Sequence, residues 1–475
     1  MAAKTAGLVY YRWPQWAIGR FVARRTLRGA TLWALVFGVY VASKAVGYAA
    51  AYPTLRERVG IAASLGGNAG LNALLGVPHH METVAGFTAW NCLGVMSIVG
   101  GIWALLLATK NFRGEEQNGR LELLLTGQTT TQRAALNTLL GIGGSLVVLY
   151  AVSALTFIAV GRVHTVGFAP GAASFFALCV TASAAMFIAV GALTSQLMPT
   201  RSRAAGLAAL IFGVCFVLRA VADATNTPWL LNASPLGWIE KTQPLYATHA
   251  VWLLPCALFT LIISSVAVYM AGRRDLGEST LADRETAKPR YGLLNSPVFL
   301  AVRLLRGSAV AWVAGVSAVA AMFGLLTNTA SQALNSSTAA QNTFERIAHT
   351  SQQANAEAFL GAIFLIIITF VMACAAHAVG AIREDEANGL VDNFLVRPVG
   401  RIRWLGGRLV LALAILVLAG LCSGLTTWLA EISQHAGVTF HSAMLAGVNT
   451  IAPALLVLGI GVVTLGYLPR FVSLE

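Results

Sequence analysis

The chain contains the sequence Arg113-Gly-Glu-Glu-Gln-Asn-Gly119-Arg-Leu-Glu-Leu-Leu-Leu125, and 270 residues later it contains a near copy, Arg383-Glu-Asp-Glu-Ala-Asn-Gly389-Leu-Val-Asp-Asn-Phe-Leu395. Each stretch is polar and acidic and lies between long apolar runs, so each is predicted to lie where a membrane meets water. We call residues 113–125 the first island and residues 383–395 the second island. A repeated polar element between repeated apolar segments predicts two similar halves, each of which presents the same surface to a soluble partner.

The composition around the islands is that of a membrane protein. Hydrophobic residues make up 57% of the chain and charged residues 11%, and the mean hydropathy is +0.71. Soluble domains carry about 25% charged residues, and about 20 apolar residues cross a bilayer as a helix. The sequence therefore predicts an all-α, polytopic membrane protein with ten spans. The spans are expected near residues 30–51, 86–108, 135–160, 170–196, 204–222, 250–272, 308–327, 357–381, 405–430 and 443–467.

Basic residues indicate which connections face the cytoplasm. The formal net charge is +13, and most of the 32 Lys and Arg residues fall in alternate connections: the N-terminus, the two islands and the central linker. Because cytoplasmic loops are enriched in Lys and Arg, the N-terminus and both islands are predicted to be cytoplasmic. Topology accounts for the positive charge, so binding to nucleic acid is not predicted.

A second repeated sequence precedes each half. Phe21-Val-Ala-Arg-Arg-Thr-Leu-Arg-Gly29 stands before the first span, and Phe299-Leu-Ala-Val-Arg-Leu-Leu-Arg-Gly307 stands before the seventh. Both patterns predict short basic amphipathic helices in the inner interface, at about 12–28 and 298–307. The two halves therefore have parallel topology. We expect a first half at 1–272 with six spans, a cytoplasmic linker at 273–297, and a second half at 298–475 with four spans, from which the last pair of the repeat is missing.

The first island is predicted to form two short helices joined by a turn. Glu115 and Glu116 fall near a helix start, where the helix dipole favours carboxylates, and Asn118-Gly119 is typical of a helix end or turn. With its acidic face toward the cytoplasm, such an element can act as a lever on the attached spans. For either island alone, an ordinary solubilising loop is an alternative. The recurrence of the Arg, acidic, Glu, Asn and Gly positions in register favours a shared function.

This order of a basic interfacial helix, a two-span unit and an acidic loop resembles the permeases of ABC-2 type transporters. With both halves in one chain, it is similar to the bacterial exporter permeases of polyketide antibiotics such as tetronasin and to multidrug exporter permeases. The resemblance implies two parallel repeats of a type V exporter-like helical bundle, in which each island is a coupling helix that docks on an ATPase subunit. The coupling residues that it implies are Arg113, Glu115, Glu116, Gly119 and Glu122 in the first island, and Arg383, Asp385, Glu386, Gly389 and Asp392 in the second. Asp385 and Asp392 keep the charge with a shorter reach, which implies unequal contacts.

The chain itself is not predicted to be an enzyme. It has no Gly-x-x-x-x-Gly-Lys-Ser/Thr phosphate loop and no room for a nucleotide-binding fold, so ATP and Mg are expected on two copies of a separate ATPase. The six cysteines lie in apolar runs at no ligand-like spacing, which predicts neither a metal site nor a disulfide framework. No cofactor is expected in this chain.

The predicted function is that of a membrane-spanning permease subunit in the bacterial plasma (inner) membrane. Powered by its ATPase, it would export amphipathic small molecules such as antibiotics by alternating access. A lipid exporter of the same type, a proton-coupled secondary transporter, and a membrane scaffold that recruits an ATPase are the alternatives. The lack of Asp or Glu in the middle of the predicted spans argues against the proton-coupled alternative.

Four ionisable residues within or at the ends of spans are candidates for a function of their own. Lys44 lies in the outer half of the first span, where its amine can snorkel to the interface. Arg219 and Asp223 are four residues apart and are predicted to pair on one helical face. His377 lies near the inner end of the eighth span, where a packing role and a proton relay are both open.

Overall fold

The fold is helical throughout the described part of the chain. The computed structural model describes residues 17–66, 72, 75–125, 129–275, 280, 296–335, 356–387, 389, 391–392, 396, 400–433 and 438–467. Over these residues every regular element is a helix, and ten segments are long and apolar enough to cross a membrane. The predicted all-α polytopic fold with ten spans is therefore confirmed.

Contacts divide the chain into two compact units, Met1–Glu285 and Thr286–Glu475. The division falls inside the segment 273–297, which the sequence predicts as a linker. Among the described residues, the first unit contains six of the ten spans and the second contains four.

The first unit is built around one central helix. The helices are α1 (Ala17–Ala51), α2 (Leu55–Gly66), α3 (Val84–Thr109), α4 (Glu115–Gln117), α5 (Arg120–Leu125), α6 (Thr131–Gly161), α7 (Pro170–Leu197), α8 (Arg201–Ala224), α9 (Pro235–Glu240) and α10 (Leu253–Ala271), with a π-helical turn at Lys110–Gly114. The central helix is α7, which packs against α3, α6 and α10, and most of its side chains are buried, including Phe176 and Phe187. Thr130 caps the N-terminus of α6 and Thr200 caps that of α8, because each side chain accepts the backbone N–H three residues later.

Helix α1 is continuous, and this differs from the separate interfacial helix predicted at about 12–28. Residues 17–28 form the first turns of α1, while residues 12–16 lie outside the described residues. These turns pack along α6 at very short range, since a Cβ on Gly141 would lie 2.5 Å from the carbonyl oxygen of Gly19. Thr26 Oγ1 and Ser145 Oγ form a buried hydrogen bond of 2.5 Å. Packing against α6 therefore extends the spanning helix where the sequence alone suggested a break.

The second unit consists of α11 (Pro297–Asn335), α12 (Ala356–Ala387), α13 (Arg401–Ser433), α14 (Phe440–Asn449) and α15 (Ile451–Tyr467). Its core contains Phe364, Ile367, Leu416 and Leu458. The interfacial helix predicted at 298–307 is again part of one continuous helix, α11. The tenth span is two helices that meet at Thr450. Pro453 accounts for this break, because proline has no N–H to donate to the carbonyl four residues earlier.

Candidate functional site

The first island forms the two helices and the turn that its sequence predicts. Helix α3 passes through the π-helical turn at Lys110–Gly114 into α4, the chain turns at Gly119, and α5 follows. Gly119 has φ +68°, a left-handed conformation that glycine adopts without steric cost. Single π-helical turns inside α-helices are frequent at functional sites.

Arg113 is fixed inside the first unit rather than exposed on the island. Its side chain is 1% exposed, and Nη1 lies 3.0 Å from Oε2 of Glu116. Its Nε donates a hydrogen bond of 2.9 Å to the carbonyl oxygen of Pro199. Arg113 therefore joins the island to the connection between α7 and α8.

Glu116 is the centre of a buried ion-pair network. Arg274, beyond the end of α10, donates to both of its carboxylate oxygens, with Nη1–Oε1 at 2.6 Å and Nη2–Oε2 at 2.5 Å. Nε of Arg274 donates to Oε1 of Gln196 on α7, at 2.8 Å. Paired, charge-assisted hydrogen bonds of this geometry are about twice as strong as neutral ones. We call Arg113, Glu116, Arg274 and Gln196 the island network.

The burial of Glu116 differs from the exposed acidic face expected of the island, and its role as an ATPase-coupling residue stays a prediction. The side chain is 4% exposed, because cations on two sides neutralise it. Glu115 is half-buried and lies 2.5 Å from Nη1 of Arg25 on α1. Among the island side chains whose burial the structure describes, the exposed ones form its tip, which comprises Gln117, Asn118, Arg120 and Glu122 around Gly119.

The second island repeats the first in part. Arg383 and Glu386 form an ion pair of 3.6 Å with the same three-residue spacing as Arg113 and Glu116. Gly389 has φ +68°, as Gly119 does. Asp385 pairs with Arg408 of α13, and Asp392 is exposed. Residues 388, 390 and 393–395 lie outside the described residues.

The two islands differ in how far the shared glutamate is exposed. The Glu386 side chain is 38% exposed, whereas that of Glu116 is 4% exposed. The unequal contacts that the sequence predicts from Asp385 and Asp392 stay a prediction. What the described residues show is that the glutamate is buried in the first island and exposed in the second.

Arg219 and Asp223 form a buried ion pair, with Nε and Oδ2 3.3 Å apart. A third member that the sequence did not reveal is Glu240, whose Oε2 lies 3.6 Å from the same Nε. Glu240 ends the short helix α9, in a connection without a recognisable motif, so no local signal points to it.

Lys44 and His377 have simpler surroundings. Nζ of Lys44 lies 5.6 Å from the ring centroid of Tyr40, one turn earlier on α1. Nε2 of His377 is 3.2 Å from Oγ of Ser308, and its ring lies 5.6 Å from that of Trp312. Their functional roles stay predictions. In the ranges that the structure describes, no group of three His, Cys, Asp or Glu side chains is placed to hold a metal ion.

A cavity of about 250 Å³ lies beside the Arg219–Glu240 pair. We call it the outer cavity, after the side of the membrane on which the sequence predicts these connections. Trp90, Leu93 and Ser97 of α3 form one wall. Ser97 lies near the middle of α3, 16 residues before Arg113, or about 24 Å along a helix at 1.5 Å per residue. The outer cavity therefore borders the N-terminal half of α3, and the first island follows the C-terminal end of the same helix. The lining further contains His79, Leu231, Ile239, Lys241 and Tyr246.

Burial determines the protonation of two groups that line this cavity. It lowers the pKa of His79 below its usual value of 6.5, so the imidazole is neutral at pH 7. It also raises the pKa of Tyr246, with a further contribution from Glu240, so the phenol stays protonated. Neither side chain adds charge to the outer cavity near neutral pH.

Comparison with known proteins gives two matches. The sequence profile of the family described as "Multidrug efflux system permease Rv1217c, C-terminal domain" matches residues 22–269 and 294–475. The multidrug efflux system permease protein Rv1217c of Mycobacterium tuberculosis (strain ATCC 25618 / H37Rv) is 28% identical over 418 residues, which cover 86% of this chain and 73% of that protein. Both islands and all the residues that line the outer cavity fall within the matched residues.

Proposed function

The chain belongs to the family of the multidrug efflux system permease Rv1217c, C-terminal domain, and we propose that it is the permease subunit of an ATP-driven, ABC-2 type exporter. In this proposal it lies in the plasma (inner) membrane of a bacterium with its N-terminus and both islands in the cytoplasm. Two copies of a separate ATPase bind ATP and Mg and dock on the two islands. The cargo is an amphipathic small molecule that leaves the cell.

The observation that carries the proposal is the way the first island is fixed to the helices around it. The island is continuous with α3, and Arg274 connects it to the end of α10. The same arginine donates to Gln196 of α7, and Arg25 of α1 donates to Glu115. Four spanning helices are therefore linked to Glu115 and Glu116 at the base of the exposed tip, so a displacement of the tip is transmitted to most of the unit.

Because Arg113 and Glu116 are buried, we assign them a different role from that of the exposed residues of the first island. These two residues hold the tip in place, and the tip, with Glu122 and the turn at Gly119, is the surface that a partner contacts. In the described part of the second island Glu384, Glu386 and Asp392 are the exposed acidic groups. When ATP closes the two ATPases, the islands move with them, and the permease changes from inward-facing to outward-facing.

The proposed class of cargo rests on the relative, whose name describes multidrug efflux. A lipid has the same amphipathic character, so a lipid exporter of this type is a second candidate for the cargo.

Transport into inverted membrane vesicles tests the proposal against its alternatives. The chain is expressed with a candidate ABC ATPase from the same genome, and uptake of a fluorescent amphiphilic dye and of a fluorescent phospholipid is measured. Dye uptake that needs ATP and that persists with a protonophore supports a drug exporter, and ATP-dependent movement of the phospholipid alone supports a lipid exporter. Uptake that a protonophore abolishes without any need for ATP identifies a secondary transporter. ATPase association without uptake of either probe identifies a scaffold.

A further inference from the structure

The N-terminal end of helix α1 carries a row of exposed arginines. Arg20, Arg24 and Arg28 are all exposed, and residues four apart in a helix lie on the same side of it, with their Cβ atoms about 5–6 Å apart. At 1.5 Å per residue the row is about 12 Å long. We call these three residues the arginine stripe.

The side of α1 that carries the stripe continues as an apolar surface. Leu35 and Val39 follow Arg28 by about two and three helical turns, and both are exposed. Because α1 is long and apolar enough to cross a membrane, these side chains are expected to contact lipid chains. The stripe is therefore expected to lie at the level of the lipid headgroups, at the end of a surface that acyl chains cover.

No acidic side chain in the described part of the chain pairs with the stripe. Helix α1 contains neither Asp nor Glu, and neither do α3 and α6, the helices against which it packs. The neighbouring Arg25 lies 2.5 Å from Glu115, whereas the three arginines of the stripe form no ion pair or hydrogen bond with the described residues. The stripe therefore has three positive charges that these residues do not compensate.

The second half of the chain indicates that membrane topology alone does not require the stripe. In the second copy of the basic segment, which begins at Phe299, Val302 takes the place of Arg24, and Val298 takes the place of Arg20. Helix α11 is nevertheless predicted to begin on the same side of the membrane as α1. The two additional arginines of α1 therefore indicate a ligand that the first half binds and the second half does not.

We infer that the arginine stripe and the apolar surface beside it bind an anionic phospholipid. The phosphate lies between the guanidinium groups of Arg24 and Arg28, and the acyl chains lie along Leu35 and Val39. Guanidinium groups suit this ligand because they form paired, charge-assisted hydrogen bonds with phosphate. The inference goes beyond the proposed function, because it requires neither the ATPase nor a cargo and does not depend on which end of α1 faces the cytoplasm.

Binding of fluorescently labelled phosphatidylglycerol to the purified full chain, in detergent without ATP, tests the inference. Phosphatidylcholine with the same label and chains has the same phosphate but no net charge. We expect saturable binding of phosphatidylglycerol, with phosphatidylcholine weaker by roughly tenfold or more. Binding is expected to weaken as salt screens the exposed charges, and inorganic phosphate is expected to displace no more lipid than sodium chloride at equal ionic strength. Equal affinity for the two lipids, or specific displacement by inorganic phosphate, would overturn the inference.

Paired substitutions locate the site. Arg24→Gln with Arg28→Gln is expected to weaken phosphatidylglycerol binding by roughly 25-fold, about fivefold for each arginine, and to leave phosphatidylcholine binding unchanged. Arg24→Lys with Arg28→Lys keeps both charges and is expected to retain most of the affinity. The matched control is Arg56→Gln with Arg162→Gln, which removes two exposed cations elsewhere in the first unit and is expected to change nothing. Equal thermal unfolding temperatures verify that all the variants are folded, and wild-type affinity in the Arg24→Gln, Arg28→Gln variant would overturn the inference.

Discussion

Arg274 holds Glu116 through both carboxylate oxygens, at 2.6 and 2.5 Å, although 158 residues separate the two in the chain. The pair joins the end of the sixth span to the end of the second, at the base of the first island. Because Glu116 is buried, its charge depends on Arg274 and Arg113 for compensation. The stability of the first unit and the position of the island are therefore linked.

The first prediction concerns the removal of this arginine. Arg274→Ala leaves the buried Glu116 paired with Arg113 alone. Leaving a buried charge without any partner costs about 3–5 kcal/mol, so we expect a cost below that range. We expect a clear fall in the thermal unfolding temperature of the purified protein. Arg273→Ala is the matched control, since its neighbour Arg273 is exposed and lies over the ring of Tyr269. Equal unfolding temperatures for the two variants would show that the pair does not stabilise the unit.

The second prediction separates the two islands. Glu386→Lys reverses an exposed charge and is expected to abolish co-purification with the ATPase while the protein remains folded. Glu116→Lys places a third cation beside Arg113 and Arg274, so it is expected to lower the yield of folded protein itself. Co-purification and size-exclusion profiles measure the two effects. Glu57→Lys, an exposed acid on α2, controls for charge reversal as such, and retained ATPase association in Glu386→Lys would exclude the second island as a docking site.

Local patterns in the sequence predict a large part of this structure. The ten spans follow from apolar length, and the turns at Gly119 and Gly389 follow from Asn-Gly, because both signals depend on neighbouring residues. The burial of Glu116 does not follow from the sequence, since it depends on Arg274, and only the folded chain brings the two together. The sequence likewise does not predict that Glu240 joins the Arg219–Asp223 pair, because its partner Arg219 lies on another helix.

The third prediction concerns the turn in the first island. Gly119 has φ +68°, and no atom lies within 4 Å of the position that a Cβ would take. A side chain here would therefore meet no steric clash, and the cost of a substitution comes from the left-handed backbone conformation. Gly119→Ala is expected to cost about 1–2 kcal/mol and to weaken association with the ATPase by distorting the tip. Gly119→Asn is the control, because asparagine tolerates the left-handed region better than alanine. Equal association of the alanine and asparagine variants with the ATPase would contradict a role for this turn geometry.

The fourth prediction tests the close packing that makes α1 one continuous helix. A Cβ on Gly141 would lie 2.5 Å from the carbonyl oxygen of Gly19, so Gly141→Ala must push α1 away from α6. Overpacking of this kind typically costs about 1–3 kcal/mol. Gly143→Ala, two residues along the same helix, has nothing within 4 Å of its new methyl group and is expected to be neutral or to stabilise. Thermal unfolding of both variants measures the difference, and equal unfolding temperatures would show that α1 and α6 do not pack this closely at Gly141.

The same substitution is expected to affect the first island. Because Arg25 of α1 pairs with Glu115, Gly141→Ala is expected to reduce ATPase co-purification as well.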